Sequence, residues 1–376
     1  MKKNIFIALC IFISNIILAQ NTIEQKLSEL LTINKTPGIN FSIIHSNNVQ
    51  ENYSAGYADI EKKEKMTPKH CMFSGSIGKT YAIAVIAQLV DEGLIDLNKK
   101  YIEYFPELNW LHKLPNIDDF TVLQLMQHRS GLPRYAFKKD VWEIAKSDPN
   151  KVWTYKDRLS FVFGDSAVHQ AGDGFAYSDT GYLLLGMLIE KITNKHYYDV
   201  IEERILTPLE LKNTYAAKNR KYPNASNTYS KEEIFQMPGP VFVNGKCKFN
   251  PQLENAGGGF VNTAADLAKW AKLYYNGVPF SDSMKNIIQT ISPDGKNVYD
   301  GWHCGAGIFI LETKFGRAYG HTGLMVGTRS IMLYFPELGT SAALQMNTDK
   351  PDGDLGLLGN LEVLMELTTK PNYEKQ

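Results

Sequence analysis

The chain has little cysteine, no excess of either charge and only one long apolar run. Four cysteines in 376 residues, at positions 10, 71, 247 and 304, are too few and too scattered for a disulfide scaffold. A hydrophobic core must therefore hold the fold, and Cys247 with Cys304 is the one pairing to weigh. Forty basic residues against forty acidic ones give no electrostatic ground for nucleic acid or an anionic surface as partner. Cys-x-x-Cys and His-Glu-x-x-His spacings are missing, so His70-Cys71 and His303-Cys304 do not amount to a metal site, and no metal is expected. No Gly-x-Ser-x-Gly occurs either, which counts against the α/β-hydrolase fold. Internal repeats and low-complexity linkers are absent from the rest of the chain.

The one apolar run is at the start, in MKKNIFIALCIFISNIILAQ. Lys2 and Lys3 precede an uncharged stretch from Ile5 to Ala19, the pattern of a secretory signal peptide cleaved near Ala19 or Gln20. The run is short for a spanning helix and Asn15 interrupts it, so no stable membrane anchor is expected. Leu9 stands where a lipoprotein signal would want a small residue before Cys10. The division expected is thus a signal peptide over 1–19 and one folded unit over 20–376, exported to the periplasm or secreted. Loss of Lys2 and Lys3 leaves 38 basic and 40 acidic residues, a net charge near −2.

Residues 23 to 33 read as an amphipathic helix, and GINFSIIHSNNVQENYSAGYAD as two strands around an Asn47-Asn48 turn. From Tyr81 to about residue 250, helical patterns broken by Pro and Gly dominate. Beyond the Gly-rich bend and helix of ENAGGGFVNTAADLAKW, period-two alternation returns in GAGIFILETKF, GRAYGHTG, TRSIMLYFPE and TSAALQMNTD, before a last helix around Leu355 to Leu367. Strands at both chain ends with helices between them predict a mixed α/β (α+β) fold. One antiparallel sheet, from 20–75 and 255–376, is flanked by helices and carries a largely helical insertion over 76–254. The site is expected where these parts meet.

The stretch MFSGSIGKTYAIAVIAQLVDEG puts Ser76 and Lys79 three residues apart, ahead of a run apolar enough for a helix buried on more than one face, ending at Asp91-Glu92-Gly93. At the start of such a helix, Ser76 and Lys79 share a face, and the first-turn N–H groups have no helical partner. A Ser hydroxyl is a weak nucleophile that needs a base in hydrogen-bond reach, and Lys79 can be that base or hold one. It can be the base only if burial or a nearby cation lowers its pKa. By itself, a Ser-x-x-Lys pair is common enough to arise by chance.

Further stretches give the pair a context: Tyr177-Ser178-Asp179 in GFAYSDTGYLLLG, His321-Thr322-Gly323 in YGHTGLMVG, and LMQHRSGLP. Ser-x-x-Lys, then Tyr-Ser-Asp, then His-Thr-Gly, with LMQHRSGLP between the first two, resemble the penicillin-recognising serine hydrolases, which include penicillin-binding proteins, class C β-lactamases, DD-carboxypeptidases and related esterases. The resemblance spans nearly the whole chain after the signal and implies a β-lactamase/transpeptidase-like fold. It implies catalytic roles for Ser76, Lys79 and Tyr177, an oxyanion hole from the N–H groups of Ser76 and Leu324, and substrate binding by Asp179, His321, Thr322 and Gly323. If Tyr177 converges on Ser76, its phenolate is the other candidate base. Gly323 would let a substrate backbone lie close to its strand. Ser178 or Asp179 also suits a helix cap, and His128-Arg129-Ser130-Gly131 reads as a structural turn.

Two positions depart from many relatives, with Asp179 in place of Asn and His321 in place of Lys. An ionised Asp only accepts hydrogen bonds, and near Lys79 it would raise the lysine's pKa and favour Tyr177 as base. His321 would make a positive charge pH-dependent, which disfavours a β-lactamase against a peptidase, amidase or esterase. The function expected is hydrolysis through a Ser76 acyl-enzyme, on a small-molecule or short-peptide substrate. A D-amino-acid peptide (DD-carboxypeptidase-like) or an ester is favoured, and class C-like β-lactam hydrolysis is third. A non-catalytic penicillin-binding sensor or scaffold would tolerate loss of Ser76 or Lys79, and both are present. No cofactor and no nucleic-acid partner are implied.

Overall fold

A computed structural model describes residues 22–369, so the expected signal peptide lies outside the described residues. Helix α1 (22–34) leads into β1 (Gly38–Ile44) and β2 (Gln50–Asp59), which turn at Asn48 and pair in antiparallel register from Gly38 opposite Gly56 to Ile44 opposite Gln50. After the short β3 (Glu64–Lys65) the chain leaves the sheet. It returns for β4 (Trp302–Cys304), β5 (Phe309–Thr313), β6 (Gly316–Met325), β7 (Thr328–Phe335) and β8 (Thr340–Met346). The sheet order is β4-β5-β6-β7-β8-β1-β2-β3, so the two chain ends meet where β8 pairs with β1, Ile39 opposite Met346. β3 and β4 have two and three residues, too few to show a period in the sequence.

The alternation in the strands separates two cores. In β7, Ile331, Leu333 and Phe335 join a core with Ile23 and Leu27 of α1 and Leu361 and Leu364 of the last helix. Met332 and Tyr334 face the other core, which also holds the helices of the insertion. This is the period of two that a sheet covered on both faces requires.

Three helices position the site or the sheet: α2 (Lys79–Asp91), α3 (Asp179–Thr193) and α4 (Ala264–Tyr275). Helix α5 (Gly356–Thr369) closes the fold. The stop at Asp91 is as expected, with the Gly93 N–H donating to the Val90 carbonyl at 2.9 Å. Ser178 caps α3, accepting from the Gly181 N–H at 3.4 Å, while Asp179 is its first residue. Much of the remaining insertion is short helices, such as Val122–Met126 and Tyr155–Leu159. A three-stranded ladder joins the two parts: Phe260–Asn262 pairs with Met72–Phe73 on one side and Thr214–Ala216 on the other. Cys71, Cys247 and Cys304 are buried and unpaired, so the weighed Cys247–Cys304 bridge does not form.

Candidate active site

Ser76 sits in a single 3-10 turn, Gly75–Gly78, directly before α2. The turn is pinned from both sides. The Ser74 N–H donates to the Phe260 carbonyl at 3.0 Å, and the Ser74 carbonyl accepts from Ser330 Oγ of β7 at 2.8 Å. Gly323 of β6 belongs to this clamp, since a Cβ there would lie 1.8 Å from the Ser74 carbonyl oxygen. The sequence reading gave Gly323 to the substrate. The structure gives the close approach to the strand that carries the nucleophile turn.

One helical turn on, the Lys79 ammonium donates to Ser76 Oγ at 3.0 Å, to Asp179 Oδ1 at 2.7 Å and to the Gly257 carbonyl at 2.5 Å. All three N–H bonds are engaged, the coordination of a cation. Burial pulls the Lys79 pKa down, but Asp179, Tyr177 and Glu254 outweigh it and leave it raised. Lys79 therefore stays protonated at neutral pH, and the condition under which it would serve as base in the resting site is not met.

Asp179 is 3% exposed and binds two cations. Oδ1 takes Lys79, and Oδ2 accepts from Arg134 Nε at 2.9 Å and Nη2 at 2.8 Å. Burial alone would raise its pKa; Arg134 and Lys79 together hold it below the usual carboxylate range. Both oxygens are committed, so Asp179 is an anchor for two cations rather than the substrate contact expected from its position. Arg134 in turn lies over the rings of Phe137 and Tyr177, 3.8 Å and 4.9 Å from their centroids.

Tyr177 lies between these groups, with the Lys79 ammonium 5.0 Å from its ring centroid. Its hydroxyl is buried beside Ser76, which lowers its pKa, without a well-formed hydrogen bond. Burial pushes the phenol up further than Lys79, Ser76 and Arg134 pull it down. The ring stacks on His128 at 4.1 Å, and His128 Nδ1 accepts from the Ser178 N–H at 3.1 Å. His128 has φ +56° within the expected turn, so the turn also holds the Tyr177 segment in place.

The opposite wall is β6. The His321 ring is 2% exposed and its Nδ1 lies 2.6 Å from the Thr322 carbonyl, which can only accept, so Nδ1 carries the proton. Burial, followed by the Lys79 charge, takes its pKa down to about 3. His321 is thus a neutral imidazole, not the titrating cation expected near neutral pH. Its ring packs on Phe309 at 5.0 Å. Thr322 and Leu324 are partly exposed, as is Ser76. The Leu324 peptide lies against the nucleophile turn: a Cβ at Gly75 would meet Leu324 N at 2.7 Å.

The structure therefore gathers Ser76, Lys79, Tyr177, Asp179, His321, Thr322, Gly323 and Leu324 at the junction of sheet and insertion. Sequence reasoning missed Arg134, the positioning part of His128, and Glu254. Arg134 directly follows the quoted LMQHRSGLP, and an anionic Asp at a buried helix start called for a second cation. Glu254 had no local signal.

The β-lactamase family model matches residues 23–363. Protein flp of Staphylococcus aureus (strain MW2) is 27% identical over 291 residues, 76% of this chain and 56% of that protein, so the chain spans a little over half the length of this curated relative. Among solved structures, a D-stereospecific amidohydrolase from Streptomyces sp. superposes with a TM-score of 0.78 at 23% identity, covering 92% of this chain and 98% of that one. A D-amino acid amidase from Ochrobactrum anthropi SV3, complexed with L-phenylalanine amide, gives 0.78 at 24% identity, covering 93% and 99%. At these identities the structural likeness is one of fold.

Proposed function

The chain belongs to the β-lactamase family of serine hydrolases, and on that premise we propose that it forms an acyl-enzyme on Ser76 and hydrolyses an amide or an ester. A D-amino-acid amide or peptide is the favoured substrate, with a small ester next. The observation that carries this reading is the Ser76 hydroxyl held at 3.0 Å by a fully engaged Lys79 ammonium, beside a buried Tyr177 hydroxyl that lacks a well-formed hydrogen bond.

The geometry favours a division of labour. With its three N–H bonds spent, Lys79 has no lone pair to accept the Ser76 proton and acts as a fixed cation. One proton must leave the Lys79–Tyr177 pair before acylation. The resulting Tyr177 phenolate, stabilised by Lys79 and Arg134, takes the Ser76 proton as Oγ attacks the carbonyl carbon. The carbonyl oxygen gains the negative charge, and the N–H groups of Ser76 and Leu324 would receive it. Tyr177 then passes its proton to the departing amine or alkoxide, and the same phenolate activates water for deacylation. The names of the two structural neighbours, a D-stereospecific amidohydrolase and a D-amino acid amidase, support an amide over a β-lactam.

A β-lactam reading has one observation in its favour: Arg134 is a permanent cation whose side chain is 33% exposed. Its Nε and Nη2 are already spent on Asp179, which leaves less for a substrate carboxylate. Export rests on the N-terminal pattern of Lys2, Lys3 and the apolar run. Intact-mass detection of a serine-directed phosphonate adduct tests the nucleophile. Turnover of a D-amino-acid amide, its L-isomer, a short-chain nitrophenyl ester and a chromogenic cephalosporin tests the substrate. An adduct with no D-amide turnover would move the ester reading ahead, and absence of an adduct would favour a non-catalytic scaffold.

A further inference from the structure

Glu254 is 7% exposed, and no side-chain hydrogen bond or ion pair engages its carboxyl among the described residues, an unusual state for a buried acid. It heads the short turn Asn255–Gly257, and its own carbonyl accepts the Gly257 N–H at 2.8 Å. The carbonyl of that same Gly257 accepts from Lys79 Nζ. The carboxyl lies against the turn: a Cβ on Gly258 would meet Glu254 Oε2 at 3.2 Å and the Gly75 carbonyl carbon at 2.7 Å, so side-chain-free Gly258 separates Glu254 from the nucleophile turn. Among the described residues, buried Arg158 donates only to the backbone carbonyls of Leu253 and Gln252, so it is a further cation near this turn with no carboxylate bonded to it.

We infer that Glu254 is a positioning residue whose charge tunes how readily the Lys79–Tyr177 pair gives up its proton, and so shifts the pH at which Ser76 becomes acylable. This rests on the Ser76 acyl-enzyme reading above. The groups that act on Glu254 are Asp179, Lys79, Arg134 and Arg158, and it in turn acts on the phenols of Tyr135 and Tyr198. Burial first, then the Asp179 charge, push its pKa up to about 7, against the three cations. Ionised Glu254 raises the Lys79 pKa. Protonated Glu254 withdraws that support and eases loss of the pair's proton. As pH rises through 7, Glu254 ionises and makes the next proton harder to remove, so the rise of acylation with pH is spread over a wider range than a single ionisation gives.

The test is the pH profile of kcat/KM, or of the phosphonate labelling rate, from pH 5 to 10 for wild type, Glu254→Gln and Glu254→Asp. With Gln, the rising limb should shift to lower pH and steepen to that of one ionisation. With Asp, which keeps the charge, a broadened limb should return. ¹³C-carboxyl NMR of the folded protein should show one Glu titrating near 7 that the Gln variant lacks. An unchanged limb in Glu254→Gln, with Ser76 still labelled, overturns this inference alone. Failure of wild-type Ser76 to label overturns the acyl-enzyme reading itself. If Glu254→Gln fails to fold, a wild-type carboxyl titrating near the ordinary Glu value of about 4.3 overturns the inference, and one near 7 supports it.

Discussion

The two sides of the candidate site each hold one ionisable side chain buried to nearly the same degree, and they treat charge in opposite ways. On the helical wall Asp179, 3% exposed, is held ionised, and on the sheet wall His321, 2% exposed, is held neutral. Burial opposes the charged form in both. The difference is the partner: Asp179 has Lys79 at 2.7 Å and Arg134 at 2.8 Å, whereas the Thr322 carbonyl and the Asp179 charge support a protonated His321 less than burial and the like-signed Lys79 oppose it. In a buried site the neighbour decides ionisation, and desolvation only sets how strong that neighbour must be. The charged wall suits proton transfer, and the neutral wall suits a substrate strand lying along β6.

The largest effect expected is from the nucleophile between the walls. Ser76→Ala should abolish covalent labelling by a serine-directed probe. The variant should stay folded with a modest loss of melting temperature, since the buried Lys79 N–H that donates to Ser76 Oγ loses that acceptor, a cost of about 1.5–3 kcal/mol. An adduct in the intact-mass spectrum of the Ala variant would point to another nucleophile.

Next comes the anchor of the charged wall. Asp179→Asn, the residue many relatives have, removes the counter-charge of buried Lys79 and partly buried Arg134 and should lower stability in urea by roughly 3 kcal/mol. The pH sign separates this from a packing defect. The folded-state pKa of Asp179 is depressed, so its contribution is complete above the unfolded value near 4 and is lost as pH falls through the folded one. The gap between wild type and Asn variant should therefore close at acid pH; a constant gap from pH 7 to pH 2 would mean the ion pairs contribute nothing.

The same contrast explains how much was legible in the sequence. The four late strands were legible because they are apolar runs of five to ten residues bounded by turn residues, and Ser76, Lys79 and Tyr177 stood in motifs whose order could be recognised. The effect of Asp179 on Lys79 could be reasoned from charge once proximity was supposed. That Arg134 is the second cation Asp179 called for, and that Glu254 takes part at all, could not, because their parts depend on distances across 45 residues to Asp179 and across 175 to Lys79 that no local pattern encodes. Misreading His321 as a titrating cation had the same root. A sequence gives the residue type and its solution pKa, but not the like charge and closed packing that move it.

Glu254 sharpens the comparison as a charged-wall residue without a bonded partner. Its folded-state pKa is raised, so the neutral acid is favoured in the fold and stability is lost as pH rises from the unfolded value of about 4.3 toward 7. Glu254→Gln should thus stabilise the protein at pH 8 by up to about 3 kcal/mol and change it little at pH 4. Equal melting-temperature changes at both pH values would show that Glu254 is already paired or hydrated.

The smallest expected effect is no change, on the neutral wall. With the His321 pKa near 3, the ratio of turnover on a peptide acid to turnover on its neutral amide should stay flat from pH 5.5 to about 8, because no imidazole charge appears or disappears on β6. Individual rates will vary with the Lys79–Tyr177 ionisation, but the ratio cancels any change common to both substrates. Stability gives an independent reading. The unfolded imidazole takes up a proton below about 6.5 and the folded one does not, so His321 makes the protein less stable as pH falls from 6.5 toward 3. His321→Asn should remove part of that acid loss while leaving stability at pH 8 nearly unchanged. If the acid-to-amide ratio instead falls as pH rises through 6.5, a bound carboxylate is supplying the counter-charge that β6 itself lacks. The two walls would then differ only until substrate arrives, and His321 would become an anchor created by the ligand it holds.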